Sequence, residues 1–487
     1  MKNKNVINRR DLISMAGLAG TGAVLAACAP QVLAPTAAPA AEVSAGPEPT
    51  ATTYAQVGAT TDSESVAFWT PGGSAPYCAN FNEVSKSFMA KNPSIKVAET
   101  QCGVGEQNFI EVFLARVAAG NPPDTSIIWD APASLAVRGA LEPLDELMAI
   151  SEFSQVSNWP AGVLASCQYK GKTYGLPVAA STYAMFYNVP MLEKKGISPK
   201  REDFPKTWAE MRRLSKELTV WEGDVLKTTG FLAYPPILDH VELNIWSALN
   251  GGQLYDANAN KYTIDSENNI EMFQYFLDWL DEDYKGDLTA INSSANWSFY
   301  PDSNGRPPEF QKGTMGMQSS GFWVAGDMYT SEFSPEGKNW NAAQFPVGPS
   351  GSGTKSGYWP NWMVIPKGAK KPEDAFKYMD YMGKEGVISW FAVAPDMPTN
   401  KTVNTSVLQV PNVLKNLGEE FHNSLLKFFF AQMDVATPMW NSPIQAFAND
   451  QITRMMEQIY NKTATPKDAL AEAQKTCQTE LEAVLKA

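Results

Sequence analysis

Aromatic side chains are the residues of this sequence best placed to do chemistry, and the chemistry is holding a molecule rather than breaking one. Trp69 and the pair Trp129-Asp130 each end a short apolar run that reads as a strand. Flat rings beside a carboxylate that accepts hydroxyl protons suit a solute with apolar faces and polar edges. Fourteen Trp and seventeen Tyr are a heavier aromatic load than core packing alone asks for. The groups used for bond breaking lack a matching context. Carboxylates are plentiful, but neither a G-x-S-x-G elbow nor an H-E-x-x-H pair occurs. His240 and His422 stand far apart and read as ordinary surface or packed residues. Cys78, Cys102, Cys167 and Cys477 match no zinc spacing. A disulfide between Cys78 and Cys102, which flank the first expected helix, is one pairing among several open ones. No catalytic residue, cofactor or metal is expected. A formal net charge of −13 argues against a nucleic-acid partner, which would need a basic surface.

The elements that must position these rings follow an α/β order. Residues 65–69 (SVAFW) read as a strand ending in the turn Thr70-Pro71-Gly72-Gly73. Phe81, Val84, Phe88 and Met89 repeat at helical steps over 77–90, and Asn92-Pro93 stops that helix. A strand over 95–99 follows, then a helix over 109–119 ended by Gly120, then a strand over 125–129. Strand, helix, strand, helix, strand gives a mostly parallel sheet, and ligands gather beyond the carboxyl ends of its strands. Trp69 and Trp129 sit at two such ends. Near the C-terminus, Ile452, Met455, Met456 and Ile459 make one helical stripe. Leu470, Ala473, Leu481 and Leu485 make parts of another, with Thr465-Pro466 opening that helix.

The stretch 171–190 (GKTYGLPVAASTYAMFYNVP) reads as two short extended runs, 172–178 and 183–189, each alternating with period two. Pro177 has no N–H and should end regular pairing. The small residues Ala179-Ala180-Ser181 then offer a place to flex. A plausible domain lies on either side, so this stretch is the expected hinge.

The first residues read as an address. Lys2, Lys4, Arg9 and Arg10 precede an apolar run over 12–27 that is too short to span a membrane. Arg9-Arg10-Asp11-Leu12 looks like a twin-arginine export signal, and Leu25-Ala26-Ala27-Cys28 like a lipobox. Residues 29–62, rich in Ala, Pro and Thr, hold too little apolar surface to fold and read as a tether.

Taken together, the motifs resemble the bacterial extracellular solute-binding proteins of ABC importers, in the sugar-binding family often called family 1. They are Phe68-Trp69, the AAGNPPD turn over 118–124, Leu141-Glu142-Pro143-Leu144-Asp145, and YGLP over 174–177 with Tyr187-Asn188. Pro205-Lys206-Thr207-Trp208, Leu249-Asn250-Gly251-Gly252, Phe310-Gln311-Lys312-Gly313 with Met317, and Gly357-Tyr358-Trp359 before the helix 372–382 complete the set. Met315-Gly316-Met317 departs from the family pattern. The resemblance implies a two-lobed α/β fold of the type II periplasmic-binding-protein kind. Lobe 1 would be 63–178 with 351–395, and lobe 2 would be 179–346 with 400–487. Crossings would lie near 176–182, 342–350 and 394–400. It further implies a signal peptide over 1–27, a lipidated Cys28, a flexible linker over 28–62, a carbohydrate ligand, ABC permease partners, and a monomer anchored to the membrane outside the cytoplasm.

A sugar site needs aromatic platforms and a few aimed polar groups. The resulting candidates are Trp69, Trp129, Asp130, Tyr183, Trp246, Trp297, Phe322, Trp323, Trp359 and Asn361. Gly321 and Gly357 are expected to let a ligand approach the backbone beside Trp323 and Trp359. Trp279, on a helix beside Phe276 and Leu280, reads as core. A secreted glycosidase would instead need two carboxylates about 5–10 Å apart. The same fold taking a peptide or polyamine would differ in its cleft charges, a polyamine needing several carboxylates.

Overall fold

A computed structural model describes residues 64–486, apart from 105–107, 233–239, 287, 289–290, 292–294, 298–305, 329–333, 335–336 and 438–440. The address, Cys28 and the tether therefore lie outside the described residues.

The opening α/β order is present. Strand Phe68–Thr70 pairs in parallel with Gln101–Cys102 on one side and Thr125–Ile128 on the other. Helix Ala75–Lys91 buries Phe81, Val84 and Phe88, the positions that its periodicity selects. Helix Phe109–Ala118 buries Phe109 and Phe113 and ends where Gly120 takes φ +70. The turn that follows is pinned by Asp124. Its buried carboxylate accepts backbone N–H groups from Ala67, Lys370 and Lys371 at 2.9, 2.9 and 3.0 Å. Cys78 and Cys102 form a disulfide with a Cα separation of 6.0 Å, and Cys167 and Cys477 remain as buried thiols.

The expected break at Pro177 does not occur. Leu176–Asn188 is one strand, buried along its whole length. It pairs antiparallel with strand Ser356–Val364, whose far end pairs with Thr125–Ile128. Pro177 sits where that ladder shifts register, between Asn361 and Trp362. A bulge is where a missing N–H disturbs a sheet least. Ala179 and Ala180 are held from both sides, by Asn361 and Pro360 and by Pro398 and Met397. Further along, the same strand pairs with Met317–Gly321 and Trp340–Ala343. It thus carries one mixed sheet from the first half of the fold into the second.

Two hydrophobic cores pack on this sheet. One gathers Phe68, Phe81, Phe88, Ile127, Val178, Tyr378 and Trp390. The other gathers Trp208, Trp246, Phe276, Trp279 and the stripes Ile452–Ile459 and Leu470–Leu481 of helices Gln445–Tyr460 and Pro466–Lys486. Helix Trp208–Leu218 starts with a reciprocal capping box between Thr207 and Glu210, and its Trp208 goes into the core. No helix among the described residues is long and apolar enough to cross a membrane.

Candidate functional site

The ends of several strands meet around an open cavity of about 430 Å³. The turn after Phe68–Thr70 supplies Gly72, Gly73 and Ser74, and the first turn of helix Ala75–Lys91 supplies Tyr77. Trp129 follows Thr125–Ile128, Tyr183 comes from the long strand, and Trp323 follows Met317–Gly321. Trp359 and Asn361 are alternate residues of Ser356–Val364, so both point to the same face. Ala394 and Asp396 complete the lining, just before the short strand Met397–Pro398.

A polar chain runs beneath the rings. The Trp129 indole Nε1–H donates to Asn361 Oδ1 at 2.9 Å, and Asn361 Nδ2 donates to Asp396 Oδ2 at 3.1 Å. Asn361 and Asp396 are both buried. Burial pushes the Asp396 carboxyl up to about 7, against the opposing pull of Ser181, Asn361 and Trp390. Burial also holds the Tyr77 phenol well above its ordinary range, and the neighbouring Asp396 charge raises it further. The Ser181 hydroxyl accepts the Trp323 backbone N–H at 3.1 Å, which fixes where that indole leaves the chain.

The rings are set by packing. Tyr183 and Trp323 meet edge to face, with centroids 5.2 Å apart and planes at 88°. Gly321 has a different reason from the expected one: a Cβ there would lie 1.9 Å from the Trp323 ring, so the bare Cα makes room for the indole of its own turn. Gly357 likewise makes room for Ile245, which a Cβ would meet at 2.4 Å. Neither glycine is spent on ligand approach.

Of the expected site residues, Trp129, Tyr183, Trp323, Trp359 and Asn361 come together at the cavity. Trp129 is 37% exposed, an unusual state for an indole. Asp130 is half-buried and does not line the cavity. Four others are corrected to core residues. Trp69 is buried, with the Arg116 guanidinium 5.9 Å over its ring. Trp246 is fully buried among Trp208, Phe231, Phe276 and Phe345. Trp297 is buried and donates its indole N–H to Ile291 O at 3.0 Å. Phe322 stacks on Phe429 at 4.0 Å with planes 8° apart. In each case the ring follows its element inward, where apolar area is best removed from water.

Sequence reasoning missed Tyr77 and Asp396. Tyr77 had a signal: it follows the turn at a carboxyl strand end, where ligands are expected. Asp396 had none, because its place depends on strands from distant parts of the chain. His422 is a packed residue, its Nε2 accepting the Val410 N–H at 3.0 Å. The side chain of His240 lies outside what the structure describes. Among the described residues no group of three or more His, Cys, Asp and Glu could hold a metal ion.

Comparison with known proteins gives a consistent picture. The family model for bacterial extracellular solute-binding proteins matches residues 83–413. A binding protein of Brucella abortus is 33% identical over 147 residues, which are 30% of this chain and 33% of that one. The chain thus spans about a third of the length of that relative. The maltodextrin-binding protein of Bacillus subtilis is 22% identical over 377 residues, covering 76% and 79% of the two chains. Among solved structures, one with mannotriose bound aligns with TM-score 0.68 at 20% identity, over 84% of this chain and 98% of that one. An ABC substrate-binding protein of Listeria monocytogenes in complex with cycloalternan aligns with TM-score 0.68 at 20% identity, over 86% and 99%. These likenesses show the two-lobed α/β fold.

Proposed function

This chain belongs to the bacterial extracellular solute-binding proteins, and on that premise we propose that it captures a sugar or oligosaccharide and hands it unaltered to an ABC permease. The observation that carries the reading is the convergence of Trp129, Tyr183, Trp323 and Trp359 on one open cavity with Asn361 and Asp396 at its floor. Indole and phenol faces cover the apolar C–H faces of a pyranose, and the floor meets its hydroxyls. Each stacked face contributes roughly 1–3 kcal/mol at about 25 cal/mol per Å². Several together reach about 8 kcal/mol, the free energy of a micromolar site. A relative that binds maltodextrin and a neighbour holding mannotriose support the same ligand class.

In this reading, Tyr77, Trp129, Trp359 and Asn361 belong to lobe 1, and Tyr183 and Trp323 to lobe 2. A ligand touching both sets gains contacts only in the closed form and so shifts the chain toward closure. The lobes would articulate through 176–182, 342–350 and 394–400. The twin-arginine-like leader, Cys28 and the linker over 28–62 would export the monomer and tether it by lipid at the membrane where the permease sits. Hydrolysis of a glycoside needs two carboxylates across the bond. Among the described lining residues there is one, Asp396.

A thermal-shift screen against mono- and oligosaccharides tests the proposal. A true ligand raises the melting temperature with concentration, as mass action requires. Chromatography of the released sugar should return it intact, and scattering should show a more compact particle. If no saccharide shifts the melting temperature, the sugar reading falls.

A further inference from the structure

The cavity has a one-sided charge. Five of its lining side chains are rings, Tyr77, Trp129, Tyr183, Trp323 and Trp359, and aromatic rings are electron-rich on their faces. Among the described lining residues the one carboxyl group is Asp396, buried, with Oδ2 accepting from Asn361. Both functional atoms of the Asn361 amide are engaged, by Trp129 and by Asp396. No Lys, Arg or His is among the described lining residues. Arg116 is held over the ring of buried Trp69 instead.

Such a site offers an anion no cation: its donors are the neutral hydroxyls of Ser74, Tyr77 and Tyr183 and the start of helix Ala75–Lys91. A carboxylate or phosphate moved into it would be desolvated beside rings that repel it and a buried acid. An ammonium group finds the opposite: rings that attract cations and the field of a buried carboxyl group beneath them. Resting on the saccharide reading above, we propose that this cavity selects its ligand by charge. It takes neutral saccharides, accepts amino sugars at least as well, and rejects uronic acids and sugar phosphates. Asp396 is the residue that sets this order.

The test is calorimetric titration of the full chain near neutral pH with matched series. These are glucose, glucosamine and glucuronic acid, with the corresponding mannose and galactose series, each as monosaccharide and disaccharide. Choline and acetate are titrated beside them. The uronic acid should bind at least about tenfold more weakly than its neutral counterpart, the scale on which like charges disfavour a complex. The amino sugar should bind as tightly as the neutral one or tighter. In Asp396→Asn, whose fold is checked by its melting curve, the neutral-to-anionic gap should shrink to within about threefold. A uronic acid that binds as well as its neutral partner overturns charge selection and leaves the saccharide reading standing. Choline binding without any saccharide overturns the saccharide reading and keeps the charge order. Acetate binding without choline, or no binding by any probe, overturns charge selection.

Discussion

Trp129 and Asn361, 232 residues apart in the chain, share a hydrogen bond of 2.9 Å from the indole Nε1–H to the amide Oδ1. The bond orients the most exposed ring of the cavity, and the same amide donates to Asp396. Asn361→Leu removes both contacts at nearly constant size. Ligand affinity should fall on the order of tenfold, and stability by about 1–3 kcal/mol, because a buried carboxylate loses its donor. Combining it with Asp396→Asn should cost less stability than the two changes summed, measured by denaturant titration of all four proteins.

Trp359 and Trp246 should separate binding from folding. Trp359→Ala removes a cavity ring, and affinity should drop at least about tenfold with a modest change in melting temperature. Trp246→Ala empties a fully buried site and should cost about 3–5 kcal/mol of stability. The fraction that stays folded should keep its affinity in titration calorimetry.

The two glycines make a parallel pair. Gly321→Ala drives a methyl group into the Trp323 ring and should weaken binding and change indole fluorescence. Gly357→Ala collides with Ile245 and should cost about 1–3 kcal/mol of stability through overpacking. Adding Ile245→Ala should recover part of that loss in urea unfolding.

The disulfide is expected to hold the cavity rim. Cys78 adjoins Tyr77, and Gly103, next to Cys102, donates its N–H to Gly72 O at 3.1 Å. Reduction, or the pair Cys78→Ser with Cys102→Ser, should lower stability by about 2–4 kcal/mol and weaken ligand binding as well. Cys167 and Cys477, buried and with burial raising both thiols, should react with a thiol reagent only on unfolding.

Asp396 gives stability a pH dependence of definite sign. Its carboxyl titrates near 7 when folded, against about 3.9 when unfolded. Between these values the native state holds a proton that the unfolded chain has lost. Stability from this group is therefore full below about pH 4 and lost as pH rises through about 7, by on the order of 4 kcal/mol. Asp396→Asn should flatten that part of the profile in denaturant midpoints taken across the range. An unchanged slope would show that the carboxyl titrates normally.

Local order along the chain was open to sequence reading. Period-3.6 stripes marked the helices Ala75–Lys91 and Gln445–Tyr460, and the motif order pointed to the two-lobed α/β fold. Strand ends directed attention to Trp129, and the Gly-flanked aromatics to Trp323 and Trp359. Two local inferences did not survive tertiary packing. Pro177 reads as a break in isolation, but the strand continues through it, with a register shift that leaves Val178 as the extra residue beside it. Gly321 and Gly357 read as openings for a ligand, but a neighbouring ring and Ile245 occupy the space.

Residue type and spacing determined which segments become helices and strands, because periodicity is a property of the local chain. They did not determine which indoles face the cavity. Trp246 and Trp359 are the same side chain, yet one is sealed among four rings and the other stands at the site. Nor did they place Asp396 under Asn361. Those choices belong to the tertiary structure, since burial and electrostatic surroundings are set by elements brought together from distant parts of the sequence.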